Sequence, residues 1–110
     1  MRHADIEFKP PWERVSAKEK MRLEAELATE CSLLHSLATV ECLAVARRID
    51  SNDVLFEINP LLCECAVVRL TWSEHVEMRT GIPAFDIFVT FDDWVQERML
   101  PDYDIYRTQH

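Results

Sequence analysis

Cysteine and histidine are the residue types of this chain that most readily carry metal or redox chemistry, and it has four of each. Cys63 and Cys65 lie one residue apart, which in a strand places both thiols on one face, about 6.5–7 Å apart along the chain. Two such thiols could share a metal ion, but a closed zinc site needs four ligands. The other cysteines and histidines show no C-x2-C or H-x3-H spacing. Because cysteine is commonly buried, we predict that Cys63 and Cys65 belong to a strand and hold no metal or cofactor.

Acid–base catalysis is the second chemistry that the residue types allow. Ser73-Glu74-His75 combines a hydroxyl, a carboxylate and an imidazole, but catalytic groups meet through the fold rather than through contiguity, so a solvated turn is favoured. Asp92-Asp93 and Asp102-x-Asp104 supply paired carboxylates, yet no cleft is predicted between them and helix capping explains Asp92. A single glycine, Gly81, excludes phosphate-cradling loops and dinucleotide fingerprints. No catalytic residue is therefore predicted, and the chain is not expected to be an enzyme.

The elements that would position these residues begin with an irregular arm over residues 1–15, whose Trp12 is expected to dock on the body. Ser16 and Glu19 form a capping-box pattern, and apolar residues spaced by three or four follow, which predicts a helix over 16–36. Residues 38–49 either extend this helix or form a strand. Their β-branched content and the polar turn that follows favour a hairpin, with strands near 39–48 and at 54–58.

The second half of the chain predicts further strands and a closing helix. From Cys63 to Trp72 one face is apolar and the other turns polar at Arg69 and Thr71. Residues 85–91 place alternate apolar side chains toward the core, and a helix capped by Asp92 ends before Pro101. The prediction is one α+β domain over 1–110, with an N-terminal helix, a three- to four-stranded antiparallel sheet and a C-terminal helix. The helices would cover one sheet face and leave the other partly open.

Composition restricts the partners. The 110 residues are 48% hydrophobic, enough for one core, and carry a net charge of −8. Nucleic acid is not expected as a direct partner, because phosphate binding needs a positive surface. No apolar run approaches a membrane span, and the first residues lack the apolar core of a signal peptide, so we expect a cytoplasmic protein without a membrane partner. A basic protein is the natural complement to this charge, although the charge also serves solubility.

The acidic charge is concentrated near the end of the chain. Residues 83–110 hold six acids and two bases, a balance of −4, and aromatic residues lie among them. Aromatic anchors with acidic neighbours are typical of a surface that selects a basic protein. The alternative is a solvated helix face with Trp94 turned to the core. The predicted partner-binding residues are Asp92, Asp93, Trp94, Glu97, Asp102, Tyr103 and Asp104.

Three segments carry a resemblance to a group of small acidic bacterial proteins. They are DVLFEI at 53–58, AVVRLTWS at 66–73 and FDDWVQERMLPDYDIY at 91–106, within a region of similarity over 38–106. The group is encoded beside polymorphic toxins and taken to consist of immunity proteins. The resemblance implies an inhibitor that binds and neutralises a cognate toxin inside the producing cell, and the net charge of −8 favours a basic toxin.

Two other hypotheses compete with this one. A small enzyme or ligand-binding domain would use the open sheet face around Arg69, Thr71 and His75. A homodimer would form through edge strands or the C-terminal tail.

Overall fold

A computed structural model describes residues 3–31, 37, 40–58, 63–72 and 84–109. Within these ranges the chain is α+β, and its five-stranded antiparallel sheet follows chain order from β1 to β5. The elements are a 3-10 turn His3–Asp5, β1 Trp12–Arg14, α1 Ala17–Glu30, β2 Cys42–Arg48, β3 Asp53–Ile58, β4 Cys65–Arg69, β5 Phe85–Phe88, α2 Phe91–Trp94, a π-helical segment Val95–Met99 and α3 Leu100–Gln109.

The first strand corrects two predictions. Residues 1–15 are not an irregular arm throughout, because β1 pairs with β2 through Trp12↔Arg48 and Arg14↔Ala46. The sheet consequently has five strands rather than three or four, and the helix expected at the N-terminus comes second. A strand of three residues is too short to show alternation in a sequence. The expected docking of Trp12 is confirmed, since this side chain is only 1% exposed.

Helix α1 begins where the sequence predicted and ends earlier. The Ser16 hydroxyl accepts from the Glu19 amide at 3.1 Å, and the Glu19 carboxylate accepts from the Ser16 amide, which completes the capping box. The helix ends at Glu30, and the extended backbone of Cys31 caps it. The predicted continuation over 32–36 lies outside the described residues. Leu23 and Leu27 face the sheet and are buried.

The hairpin prediction is confirmed. Residues 42–48 form β2 rather than an extension of α1, and they pair with β3 through contacts such as Leu43↔Glu57. The Ser51 hydroxyl accepts from the Asp53 amide at 3.2 Å, a side-chain bond that stabilises the turn between the strands. β-branched side chains and a polar turn were therefore sufficient signals for this part of the fold.

Both faces of the sheet are covered, which contradicts the predicted open face. Ala66 and Val68 of β4 pack with the α1 side, whereas Cys65 and Val67 pack with Trp94 on the side of the C-terminal helices. The run from Cys65 to Val68 is apolar at every position and wholly buried, as expected of a strand enclosed on both sides. The polar residues Arg69 and Thr71, which predicted an open polar face, lie at and beyond the end of β4 and do not describe the strand itself.

The last strand and its turn are more exposed than predicted. Ile87 and Val89 are 53% and 59% exposed, although their alternation with Phe85 predicted a core-facing row. Within the described chain β5 pairs with β4 only. The face of β5 that carries Ile87 therefore has few neighbours to pack against. Thr90, not Asp92, is the N-cap of α2, and its hydroxyl accepts from the Asp93 amide at 3.0 Å.

The closing helix passes through Pro101 instead of ending before it, which corrects the predicted boundary. The Leu100 amide donates to the Val95 carbonyl five residues earlier, so the helix is widened to a π-helical turn just ahead of Pro101. Proline lacks an amide hydrogen and normally clashes with a carbonyl four residues back. The wider turn accommodates the ring, and the helix continues to Gln109.

Candidate functional site

The structure divides the predicted partner-binding residues into buried and surface groups. Trp94 is fully buried and packs edge-to-face on Trp12, with ring centroids 5.2 Å apart and an interplanar angle of 86°. Its prediction as a surface anchor was therefore wrong, and the core alternative holds. An aromatic residue among acids has the same sequence pattern whether it faces a partner or the core.

Asp102 is engaged within the chain. Its Oδ2 accepts from the Trp12 indole N–H at 2.8 Å and lies 3.2 Å from the Arg48 guanidinium. Its side chain is only 14% exposed. These bonds fasten α3 to β1 and β2, and they leave this carboxylate poorly placed for a partner.

The other predicted residues remain at the surface. Lys9 and Arg107 lie over the Tyr103 ring, 5.4 and 5.9 Å from its centroid. The exposed Asp104 carboxylate is 3.1 Å from Arg107. Asp92 and Glu97 are exposed and Asp93 is half-buried, so the acidic character of this segment is concentrated at the start of the closing helix.

A concave site lies beside that helix start. We call it the acidic hollow, a cavity of about 470 Å³ lined by Glu41, Leu43, Glu57, Ile58, Cys63, Glu64 and Phe91. Among the described residues that line it, three are carboxylates and none is lysine or arginine. Its size is within the usual range for sites that accept a small molecule or a side chain, about 300–1,000 Å³.

Strand register assembles the hollow from distant parts of the chain. Glu57 pairs with Leu43 on one side and with Cys65 on the other, so the ends of β2, β3 and β4 lie side by side. The sequence analysis missed Glu41, Glu57 and Glu64 because they are separated along the chain. One signal was present: Glu57 is the single charged residue between apolar neighbours in the run VLFEI.

A hydrogen bond fixes one of the carboxylates that line the hollow, Glu64, and a histidine lies beside another, Glu57. Glu64 Oε1 accepts from the Phe91 amide at 2.9 Å, and the Glu64 amide donates to the Val89 carbonyl at 2.9 Å. Glu57 lies 3.3 Å from His3 Nε2 at the rim. Glu64 is therefore preorganised by the first residue of α2, whereas Glu57 is half-exposed.

The pKa of the nearby Cys65 thiol reflects its burial and the carboxylates around it. Burial raises the pKa of Cys65 to about 12, with further contributions from Glu64, Asp93, Cys63 and Glu57. Asp93, in the first turn of α2, therefore acts on the same buried thiol as Glu64 and Glu57. Cys65 stays protonated at neutral pH and is a core residue at the start of β4, as predicted. Cys63 precedes the strand and lines the hollow, so the predicted strand there begins later.

Arg69 and Thr71 of the alternative site are exposed, but both are bonded to carboxylates within the chain. Arg69 forms a forked pair with the buried Asp53, at 3.0 and 3.4 Å, and this hydrogen bond raises the pKa of the guanidinium. Thr71 donates both its amide and its hydroxyl to Glu30. His75 lies outside the described residues.

Comparison with known proteins adds no relative. Scans against protein-family models, curated proteins and solved structures found no match to this chain. In the described part of the chain, no group of three or more His, Cys, Asp or Glu residues is placed to hold a metal ion. None of the helices in that part is both long and apolar enough to cross a bilayer.

Proposed function

We propose that this chain is an immunity protein that neutralises a basic toxin domain, and that the acidic hollow receives cationic side chains of that toxin. The observation that carries the proposal is a concave site whose described lining residues include three carboxylates and neither lysine nor arginine, on a chain of net charge −8. The proposed place of action is the cytoplasm of the cell that makes the toxin.

The shape of the hollow supports a cationic ligand. A cleft lined by charges of one sign with low-dielectric walls concentrates its field and raises the rate at which an opposite charge arrives. Leu43, Ile58 and Phe91 supply apolar walls around the carboxylates. A lysine or arginine stem packs on such walls while its charged head reaches the acids. Glu64 is already oriented by the Phe91 amide, so little ordering is needed on binding.

The acids at the start of the closing helix enlarge the acidic surface that the hollow offers to a basic toxin. Asp92 is exposed and Asp93 is half-buried, both in the first turn of α2 next to Phe91. Rim acids of this kind act mainly on the association rate and on partner choice. The proposed binding surface therefore includes Asp92 and Asp93 and leaves out the buried Trp94.

Co-expression with a toxin domain encoded beside the gene for this chain tests the proposal, and the absence of any such domain would count against it. The chain should relieve growth arrest, and the purified pair should associate at a rate that falls with added salt. Replacing Glu41 and Glu57 by lysine should lower the association rate about tenfold or more. The matched control replaces the exposed Glu7 and Glu13 by lysine, which changes net charge equally outside the hollow.

The outcomes discriminate clearly. Equal effects of the two variant pairs would mean that net charge alone steers association, and the hollow would lose its role. Failure of the unmodified chain to relieve growth arrest would refute the immunity function. Thermal melts of both variant pairs verify that they fold.

A further inference from the structure

The outer edge of β5 is poorly protected against strand pairing. Within the described chain β5 is the last strand of the sheet and pairs with β4 only. Its exposed apolar side chains, Ile87 and Val89, are 53% and 59% accessible. Natural sheet edges are usually blocked by lysine, proline, a bulge or a covering element, because an open edge accepts another strand.

The register identifies which backbone groups face outward. The Arg69 amide donates to the Ala84 carbonyl at 2.9 Å, which makes this an exchanging pair of the antiparallel ladder. Exchanging and non-exchanging pairs alternate, so Val67↔Asp86 and Cys65↔Phe88 exchange hydrogen bonds and Ala66↔Ile87 does not. The amide and carbonyl of Ile87 therefore point away from β4, toward the open edge.

We propose that this edge receives an extended, basic segment of the toxin partner as a sixth strand. The inference rests on the proposed function and specifies how the partner docks. Main-chain hydrogen bonds to Ile87 would supply register and affinity, and apolar side chains of the segment would cover Ile87 and Val89.

Continuity with the acidic hollow identifies the occupant as basic. The Val89 carbonyl accepts from the Glu64 amide, and Phe91, two residues later, lines the hollow. A segment that runs along β5 to Val89 comes closest to Glu64, whose amide bonds to Val89, whereas Glu57 on β3 and Glu41 ahead of β2 lie further across the sheet. A cationic side chain at that end of the segment would therefore meet the acidic hollow at Glu64.

A second copy of this chain fits the edge less well. In an antiparallel pairing of Ile87 with Ile87, the two Asp86 side chains become diagonal neighbours, about 7–8 Å apart. Asp86 is exposed and forms an ion pair with Arg98 at 2.8 Å, which offsets part of its charge, but each copy brings a net charge of −8. The net charges of two copies therefore oppose the pairing, whereas a basic segment is attracted.

A proline substitution isolates the edge from the fold. Ile87→Pro removes an outward amide that the ladder does not use, and edge strands tolerate proline at such positions. Ile87→Thr keeps the amide and the β-branched shape and serves as the control. Toxin binding should weaken about tenfold or more in Ile87→Pro and change little in Ile87→Thr.

A peptide of alternating lysine and valine provides a probe that does not depend on the toxin. By NMR, it should shift the amide signals of Ile87 and Val89 and slow hydrogen exchange at Ile87. An equally charged peptide with N-methylated amides cannot pair and should leave both unchanged. If both peptides act alike, or neither shifts Ile87, the strand-addition proposal is overturned.

The two proposals fail separately. Toxin binding that is sensitive to Glu41 and Glu57 but indifferent to Ile87→Pro would retain the immunity function and refute strand addition. Probe binding at Ile87 without any toxin binding would refute the immunity function and retain strand addition, with another basic chain as the occupant. Sedimentation that shows a dimer of the unmodified chain, dissociated by Ile87→Pro, would identify a second copy as the occupant and refute the basic segment.

Discussion

Replacing Glu30 by alanine should strongly destabilise the fold, although the residue lies outside the acidic hollow. Glu30 is fully buried at the end of α1. Its Oε1 accepts from the Thr71 amide at 2.7 Å and from the Thr71 hydroxyl at 2.9 Å, and its Oε2 accepts from the Trp72 amide at 2.8 Å. One carboxylate therefore fastens the chain after β4 to α1, across 41 and 42 residues.

The magnitude follows from the donors that would lose their acceptor. Two backbone amides would be left unpaired, at about 1–3 kcal/mol each, whereas the Thr71 hydroxyl can turn to water because Thr71 is exposed. Trp72 also has a φ of 58°, a left-handed conformation that Glu30 holds in place. Partial relaxation of this turn recovers some of the loss. We expect a net cost of about 2–4 kcal/mol, and a Tm lower by roughly 10–30 °C.

Urea unfolding of Glu30→Ala and of the control Glu97→Ala measures this cost, because Glu97 is an exposed glutamate on the closing helix. Glu30→Gln should fall between the two, since an amide keeps one acceptor oxygen and presents a donor to the other amide. An unchanged midpoint for Glu30→Ala would refute the reasoning.

The pH dependence has a definite sign. Burial alone raises the pKa of Glu30, but hydrogen bonds with Glu26, Thr71 and Trp72 together hold it below its ordinary value of 4.5. The folded state therefore binds the proton more weakly than the unfolded chain. This contribution to stability is present above pH 4.5 and is lost as the pH falls below it. The loss should be shallower in Glu30→Ala.

Two further perturbations test the core. Leu70 is completely buried, so Leu70→Ala should cost about 2–5 kcal/mol in the free energy of unfolding, and a variant that melts like the parent would mean that the packing beside β4 is wrongly assigned. Burial raises the pKa of Cys42 to about 11 and of Cys65 to about 12, so both thiols should react with a thiol reagent far more slowly in the folded chain than in urea at neutral pH. Equal labelling rates in the two states would contradict this burial.

The sequence predicted the elements whose signals are local. The capping box at Ser16 and Glu19 marked the start of α1, and the polar turn at 50–53 with its β-branched flanks marked the hairpin. The apolar face predicted between Cys63 and Trp72 includes Val68 and Leu70, and both are buried. In each case a few neighbouring residues determine the outcome.

The missed features depend on contacts between distant residues. β1 becomes a strand because β2 lies beside it, and α3 continues through Pro101 because a widened turn precedes it. The neighbours of Trp94 in the sequence do not show whether it is buried or exposed. Its burial depends on contacts with distant residues such as Trp12. The acidic hollow requires the register that places Glu57 between β2 and β4. None of these contacts has a signature in a short window of sequence.

The bond between Trp12 and Asp102 spans 90 residues, and its consequence is one of timing. During synthesis the first strand emerges early. The Trp12 indole can bond to Asp102, and its ring can pack on Trp94, only when nearly the whole chain has been made. Until then the part of the Trp12 side chain that contacts Trp94 and Asp102 has no cover on the nascent protein, a hazard for aggregation. A fragment that ends before residue 94 would therefore expose part of a tryptophan that the finished molecule buries.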